Sequence, residues 1–527
     1  MRIIKKFRYE LNLRKLLLKR MYLLLLIPLL FIAYPLSSPG IPIAVDFPSL
    51  DTVDPSGRLW AWLEKGSFPG LEIIPRFPLI GLWYILGFLG INSALISKFM
   101  IMIGFFIASF SFYFCFLLLF KHSNTAKDSG SDANLNIAAV IGAIFFAYNP
   151  WSFERITHWY LWIGYTVLPL FFVSIVYAFR NPRSWKYIAS SIFLWSFAST
   201  TPHMIVFYGM IFVVTFASFV LNNLFAKIRN TKDVINNRIK SQTNNKKNST
   251  ILVLLIPFLT IVFLYVLVNA YWIYPYVMSS QIRSVSPNYL LVQENLETLS
   301  RNSNFLNVFR LVGYWTQPFD FPVEGTIFYY LWFLAGLGVS IFGFSALIIS
   351  RDFMKYTAIF SLFALVGLIL AMGTQSPINY FNYVLENPKL TNFGWLLRDP
   401  DKWEFLVAFT YSFLISIASY KLLGRLLGRR VRILEPGEAD WQMTKKAREL
   451  NKRGLLVGVF FLCLLIGSIS LHSYPRYVFS MLDEVRPVPL PAEFDELNSY
   501  LSDVKTGNVY YLPYPHIETT WNKQNPG

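Results

Sequence analysis

Charged side chains are scarce in this 527-residue sequence. Asp, Glu, Lys and Arg make up 15% of it, where a soluble domain carries roughly 25%. That shortage excludes a cytosolic enzyme, and apolar runs recurring from Met21 to His472 exclude a disordered chain and a coiled coil. Cysteine is nearly missing. The two present, Cys115 and Cys463, lie inside apolar runs, where they read as small packing hydrophobes and say little about redox compartment. Histidine is rare as well: His122, His158, His203, His472 and His516 are scattered, without the spacing of a zinc site, and no metal site is expected.

What is abundant is apolar surface, at 54% hydrophobic and 18% aromatic residues. A hydrocarbon core of about 30 Å needs about 20 apolar helical residues to cross it. Runs near that length fall at 21–36, 95–120, 137–149, 161–179, 187–201, 203–226, 251–275, 327–349, 356–372, 404–424 and 454–472. The pattern predicts an all-α polytopic membrane protein of about 11 transmembrane helices.

The formal charge of +17 does not point to nucleic acid, because the basic residues punctuate the apolar runs instead of forming one face. Their placement sets orientation. With the N-terminus inside, 32 of the 47 Lys and Arg fall in inner segments, while 21 of the 30 acids fall elsewhere. Both tallies predict N-terminus in and C-terminus out.

Residues 1–20 read as a basic amphipathic segment on the inner leaflet, kept as an uncleaved anchor. The transmembrane domain is expected over 21–472, with outer loops at 37–94, 276–326 and 373–403. In the first loop, DPSGRLWAWLEKG reads as a capped interfacial helix. In the second, VQENLETLSRNSNFLNVFRL reads as one amphipathic helix. From Ser473 to Gly527 the chain turns polar and VYYLPYP alternates like a strand. That predicts the start of a small extracytoplasmic α/β or β segment over 473–527. Asn248-Ser249-Thr250 matches a glycosylation acceptor but falls in an inner loop.

Charge near membrane depth marks functional candidates. Asp46 follows the first span, with Asp51 and Asp54 nearby, the latter two also suited to capping the next helix. This loop holds no D-x-D metal pair, only Asp51-x-x-Asp54. A second span ends at Asn149-Pro150, since a residue before proline resists the helical conformation. Trp151, Glu154, Arg155 and His158 follow, with 154 and 158 on one face if the turn is helical. The plainer reading is a hydrated interfacial loop. The third candidate is Trp395-Leu-Leu-Arg398-Asp399-Pro400-Asp401-Lys402-Trp403-Glu404, where Arg398 and Lys402 suit a phosphate. Neutralisation by Asp399, Asp401 and Glu404 is the competing account. His203 between two spans reads as a packed histidine.

Four stretches taken in order carry a resemblance: VDFPSLDTVDPSGRLWAWLEKGSFPG, AYNPWSFERITHW, NAYWIYPYVMSSQIRSVSPNYLL and WLLRDPDKW. Together they resemble the GT-C superfamily of polytopic membrane glycosyltransferases, and most nearly the large actinobacterial arabinofuranosyltransferases and related archaeal membrane proteins. The resemblance spans most of residues 20–425. It implies sugar transfer from a polyprenyl-phosphate donor to a glycan, lipid or protein acceptor at the extracytoplasmic face of the cell membrane. Asp46 would be the base or the orienter of the acceptor hydroxyl, Glu154 a second catalytic residue, and Arg398, Lys402 and Arg155 the contacts to donor phosphate. Asp51, His158, Trp151 and Trp395 would touch sugar or acceptor. No cofactor is certain: the resemblance leaves a divalent cation open, and departure from the metal-dependent branch, read as the lack of a D-x-D pair, speaks against one. Two rivals stand beside this reading: a translocator of lipid-linked sugar or polysaccharide, which needs polar residues along its spans, and a non-catalytic carbohydrate-binding scaffold.

Overall fold

The computed structural model describes residues 20–42, 74–120, 131–236, 250–278, 293–315, 322–350, 353–378, 399–427 and 441–489, with the single positions 380, 383, 384, 397, 496 and 500. Among the described residues the protein is a helical membrane protein. Seven helices are long and apolar enough to span a bilayer: Ser93–Phe120, Asp132–Glu154, Trp159–Arg180, Pro202–Phe225, Ile327–Ile349, Pro400–Leu426 and Leu456–Glu484. Shorter apolar helices lie at Met21–Leu36, Ile74–Phe88, Leu252–Val268 and Tyr356–Ala371.

In chain order the helices are α1 (Ile27–Leu36), α2 (Phe77–Phe88), α3 (Ser93–Phe120), α4 (Ser131–Tyr148), α5 (Pro150–Glu154), α6 (Trp159–Arg180), α7 (Trp185–Ala198) and α8 (Pro202–Asn236). There follow α9 (Thr250–Val268), α10 (Ala270–Met278), α11 (Gln293–Ser300), α12 (Phe305–Phe309), α13 (Ile327–Phe344), α14 (Ala346–Ile349), α15 (Met354–Ala371), α16 (Glu404–Leu427) and α17 (Trp441–Tyr477). Two departures from the sequence reading stand out. The expected loop over 37–94 contains the apolar helix α2, and α17 runs past the expected boundary at 472 into a π-helical turn at Val478–Glu484.

The chain divides into two compact units. The first comprises Met1–Ser49, Asn92–Trp159 and Ser286–Gly527. Its centre is α16, which packs on α4, α13, α15 and α17. Small residues let these helices approach closely: Ser412 and Ser416 turn their hydroxyls back to the carbonyls of Ala408 and Ser412 at 2.7 and 2.8 Å. Facing them, Gly142 of α4 has no room for a methyl group, which would meet Ser416 Oγ and the Ser412 carbonyl. Rings fill the remaining space, with Phe360 stacked on Phe413 at 4.3 Å. A short antiparallel pair, β1 (Ile41–Pro42) with β2 (Pro487–Val488), ties the chain after α1 to the chain after α17.

The second unit comprises Leu50–Ile91 and Tyr160–Val285. An aromatic core links α6, α7, α8 and α9, with Trp195 stacked on Tyr265 at 4.2 Å and Phe171 against Tyr208 at 4.6 Å. Asn269 breaks α9 from α10. Its amide donates to Ser196 Oγ (2.7 Å) and the Tyr265 carbonyl (2.8 Å), and its Oδ1 accepts from Trp272 Nε1 (2.9 Å). A broken helix inside a membrane is stable only when its freed polar groups are satisfied this way.

Candidate functional site

The candidate site begins at the Asn149-Pro150 break. Proline forbids a helical Asn149, which sits extended at φ −76°, ψ 163°. Its side chain then mends both ends: Oδ1 accepts from the Ser152 N–H at 3.0 Å, and Nδ2 donates to the Phe145 and Phe146 carbonyls at 3.1 and 2.8 Å. The chain turns through α5 and a non-helical bend at 155–158 before α6. Glu154 and His158 therefore do not share a helical face.

That turn leads Glu154 and Arg155 inward instead of into water, at 3% and 1% exposure. The hydrated-loop reading is overturned here. Arg155 forms an ion pair with Asp401, and its guanidinium lies 4.8 Å from the Tyr314 ring centre. Arg155 Nη1 also stands 3.4 Å from His158 Nδ1. Glu154 Oε2 is 2.7 Å from Arg476 Nη1 on α17. Trp151 Nε1 donates to the Asp401 carbonyl at 3.0 Å, and Glu404 Oε1 accepts the Gly313 N–H at 2.9 Å. A methyl at Gly313 would strike Glu404 Oε1, so only glycine brings its amide this close.

Three carboxylates and two guanidinium groups thus lie sealed together. Burying such charges is costly unless each is matched, so the cluster holds α5, the start of α16 and the end of α17 in register. Glu154 ends one span, Asp401 and Glu404 begin another, and Arg476 lies near the end of a third. All sit at one face of the membrane domain.

Lys402 is matched locally: its Nζ lies 2.5 Å from Asp399 Oδ2, both side chains keeping slight exposure. The competing account of neutralisation therefore describes Lys402, and Asp401 neutralises Arg155 instead of a residue of its own segment. Asp399-Pro400-Asp401 has D-x-D spacing, but its two carboxylates face separate cations. Among the described residues no group of three His, Cys, Asp or Glu side chains is placed to hold a metal ion. Trp151 is 2% exposed, so its ring is part of the packing and offers no open face to a sugar. Asp46, Asp51, Trp395 and Arg398 lie outside the described residues, as do the expected helix after DPSG and the strand at VYYLPYP.

The expected helix over 292–311 is two short helices, α11 and α12. Asn304 separates them and caps the second through the Asn307 N–H at 2.9 Å. The loop after α12 turns through Leu311, at φ 62° the only left-handed residue other than glycine among those described. It returns to its own start: Arg301 Nε donates to the Trp315 carbonyl at 2.7 Å and Asn302 Nδ2 to the Tyr314 carbonyl at 3.0 Å. Through Gly313 and Tyr314 this loop covers the ion cluster. Arg476 and Arg310 were not among the expected site residues, although an arginine inside an apolar helix, as at Arg476, is the signal that would have found one of them.

No known protein family matches the chain. A search of characterised proteins likewise finds no similar sequence.

Proposed function

We propose that the chain is a membrane glycosyltransferase of the GT-C type. It takes a sugar from a polyprenyl-phosphate donor and passes it to an envelope glycan, lipid or protein acceptor on the extracytoplasmic face. The observation that supports this reading best is the meeting of two motif stretches 250 residues apart, where Trp151 bonds Asp401 and Arg155 pairs with the same residue. The resemblance made those stretches two parts of one site.

In this reading Asp46 is the base. The acceptor oxygen bonds to the anomeric carbon as the bond from that carbon to the phosphate oxygen breaks. The hydroxyl proton passes to the Asp46 carboxylate, and the electron pair leaves with the polyprenyl phosphate. Arg398 offsets the charge that grows on that phosphate, with Lys402, already paired to Asp399, as a weaker second cation, the kind of stabilisation that dominates many such reactions. Glu154 and Arg155, sealed from water, act as positioning residues instead of as a second catalytic residue and a phosphate contact: Arg155 holds the 399–402 turn through Asp401, and Arg476 holds Glu154. Among the described residues the ion pairs gather at one face, which favours surface chemistry over passage.

The test is transfer of labelled sugar by purified protein in liposomes supplied with polyprenyl-phosphate sugar. Wild type transfers and Asp46→Asn does not, a general base being worth roughly 10²–10⁴-fold. A wild type that binds donor and acceptor without transfer makes the chain a binding scaffold. Equal activity of the variant removes Asp46 from the chemistry.

A further inference from the structure

Three cations at this face have carboxylate partners: Arg155 with Asp401, Arg476 with Glu154, and Lys402 with Asp399. Arg310 is different. It is 2% exposed, yet among the described residues no carboxylate meets it. Its Nε donates to the Leu306 carbonyl at 3.2 Å and Nη2 to Asn307 Oδ1 at 2.9 Å, while Nη1 is buried with no acceptor. The guanidinium lies 4.6 Å from the Trp332 ring centre and 4.2 Å from that of Phe333. Burial lowers its pKa to about 10, so it stays charged at neutral pH.

The arginine is held by a closed frame. His472 Nε2 donates to the Arg310 carbonyl at 2.6 Å, and Trp332 Nε1 donates to the His472 carbonyl at 2.9 Å. Gly336 completes it, because a methyl there would run into His472 and come within 3.1 Å of Arg310 Cδ. Such a frame fixes the direction of a charged group that has no counter-charge.

The position of that group indicates where a counter-charge would come from. Ile327, Tyr330, Leu331, Leu334 and Ile341 of α13 are all exposed, and at this spacing they form one lipid-facing stripe. Phe333 is half-buried at the border between that stripe and the packed side carrying Trp332 and Gly336. Trp332 lies five residues into α13, which at 1.5 Å per residue is about 8 Å from its start. Arg310, packed against Trp332, therefore stands near one end of this apolar span.

We propose that Arg310 is a binding site for a phosphate headgroup that enters from the lipid side, with the Phe333 ring as its cover. Turning Phe333 outward opens Nη1 to a phosphate oxygen, which supplies both the missing acceptor and the missing negative charge. The shared chemistry is a lipid phosphate, and its source is either a resident anionic phospholipid or a polyprenyl phosphate.

Native mass spectrometry of the full-length protein, with phosphatidylglycerol or undecaprenyl phosphate as probe, tests this without reference to sugar transfer. Wild type retains the probe, and Arg310→Gln loses about tenfold or more in affinity, the loss expected for a charge-assisted bond. Displacement of undecaprenyl phosphate by phosphatidylglycerol identifies a resident phospholipid. Displacement of phosphatidylglycerol by undecaprenyl phosphate identifies the second source. Unchanged retention by Arg310→Gln overturns the proposal, as does a wild type that retains neither probe. If Arg310→Gln fails to fold, Phe333→Ala decides: removing the cover raises occupancy, and no rise overturns the assignment.

Discussion

Replacing Arg155 by leucine isolates the contribution of the pair that joins the two motif stretches. Asp401 is 1% exposed and has its guanidinium partner in Arg155. Removing one partner of a buried pair leaves an unmatched charge, at a cost of about 3–5 kcal/mol. Asp401→Leu alone strands Arg155 and costs a similar amount. The double variant Arg155→Leu/Asp401→Leu strands neither partner of this pair, and replacing a buried pair by apolar groups is close to neutral. The Trp151 bond is to the backbone carbonyl of Asp401, so it survives in every variant. A double-mutant cycle therefore returns a coupling energy of several kcal/mol, far above the ~0.5 kcal/mol scatter of independent sites. Unfolding of the detergent-solubilised protein by heat or denaturing detergent reads it. Additive losses, or an Arg155→Leu variant as stable as wild type, would refute the buried-pair argument.

Three further outcomes follow from local geometry. Asn149→Ala loses the cap at the Asn149-Pro150 break and the donors to two carbonyls, lowering stability by about 1–2 kcal/mol in the same unfolding assay. Gly142→Ala drives a methyl into Ser416 Oγ and costs about 1–3 kcal/mol, part of which Ser416→Ala restores. Trp151→Phe keeps one aromatic ring but loses the N–H to Asp401 and part of the buried indole's packing, so stability falls by about 1–3 kcal/mol. Under the proposed function its sugar-transfer rate falls further than its stability, as expected of a residue that positions the 399–402 turn.

The features legible in sequence are those set by local stereochemistry or by long apolar runs. Proline at 150 announces the end of α4 whatever packs around it, and the apolar runs at 95–120 and 327–349 reappear almost unchanged as helices. Short elements are harder. α2 has 12 residues and two glycines, Gly81 and Gly87, so its run is too brief to separate from a loop. The second outer region has helical periodicity throughout, and only the Asn304 cap shows where it breaks. Ion pairing is hardest of all, because it depends on distant partners. His472-Ser-Tyr-Pro-Arg476 reads as the polar end of a span, but Glu154 from another helix neutralises Arg476 and lets α17 continue to Tyr477. Glu154 and Arg155 read equally well as hydrated, and only the packing of α16 and α17 seals them from water.

Under the proposed function, sugar leaves a lipid-phosphate carrier on the face where Arg155 meets Asp401. Labelled polyprenyl-phosphate sugar presented to right-side-out membrane vesicles tests it most directly, with inverted vesicles alongside. Wild type puts label into envelope material from the right-side-out vesicles, and Asp46→Asn or Arg398→Ala proteins that insert normally put in none. Transfer confined to inverted vesicles, or transfer indifferent to both substitutions, would contradict it.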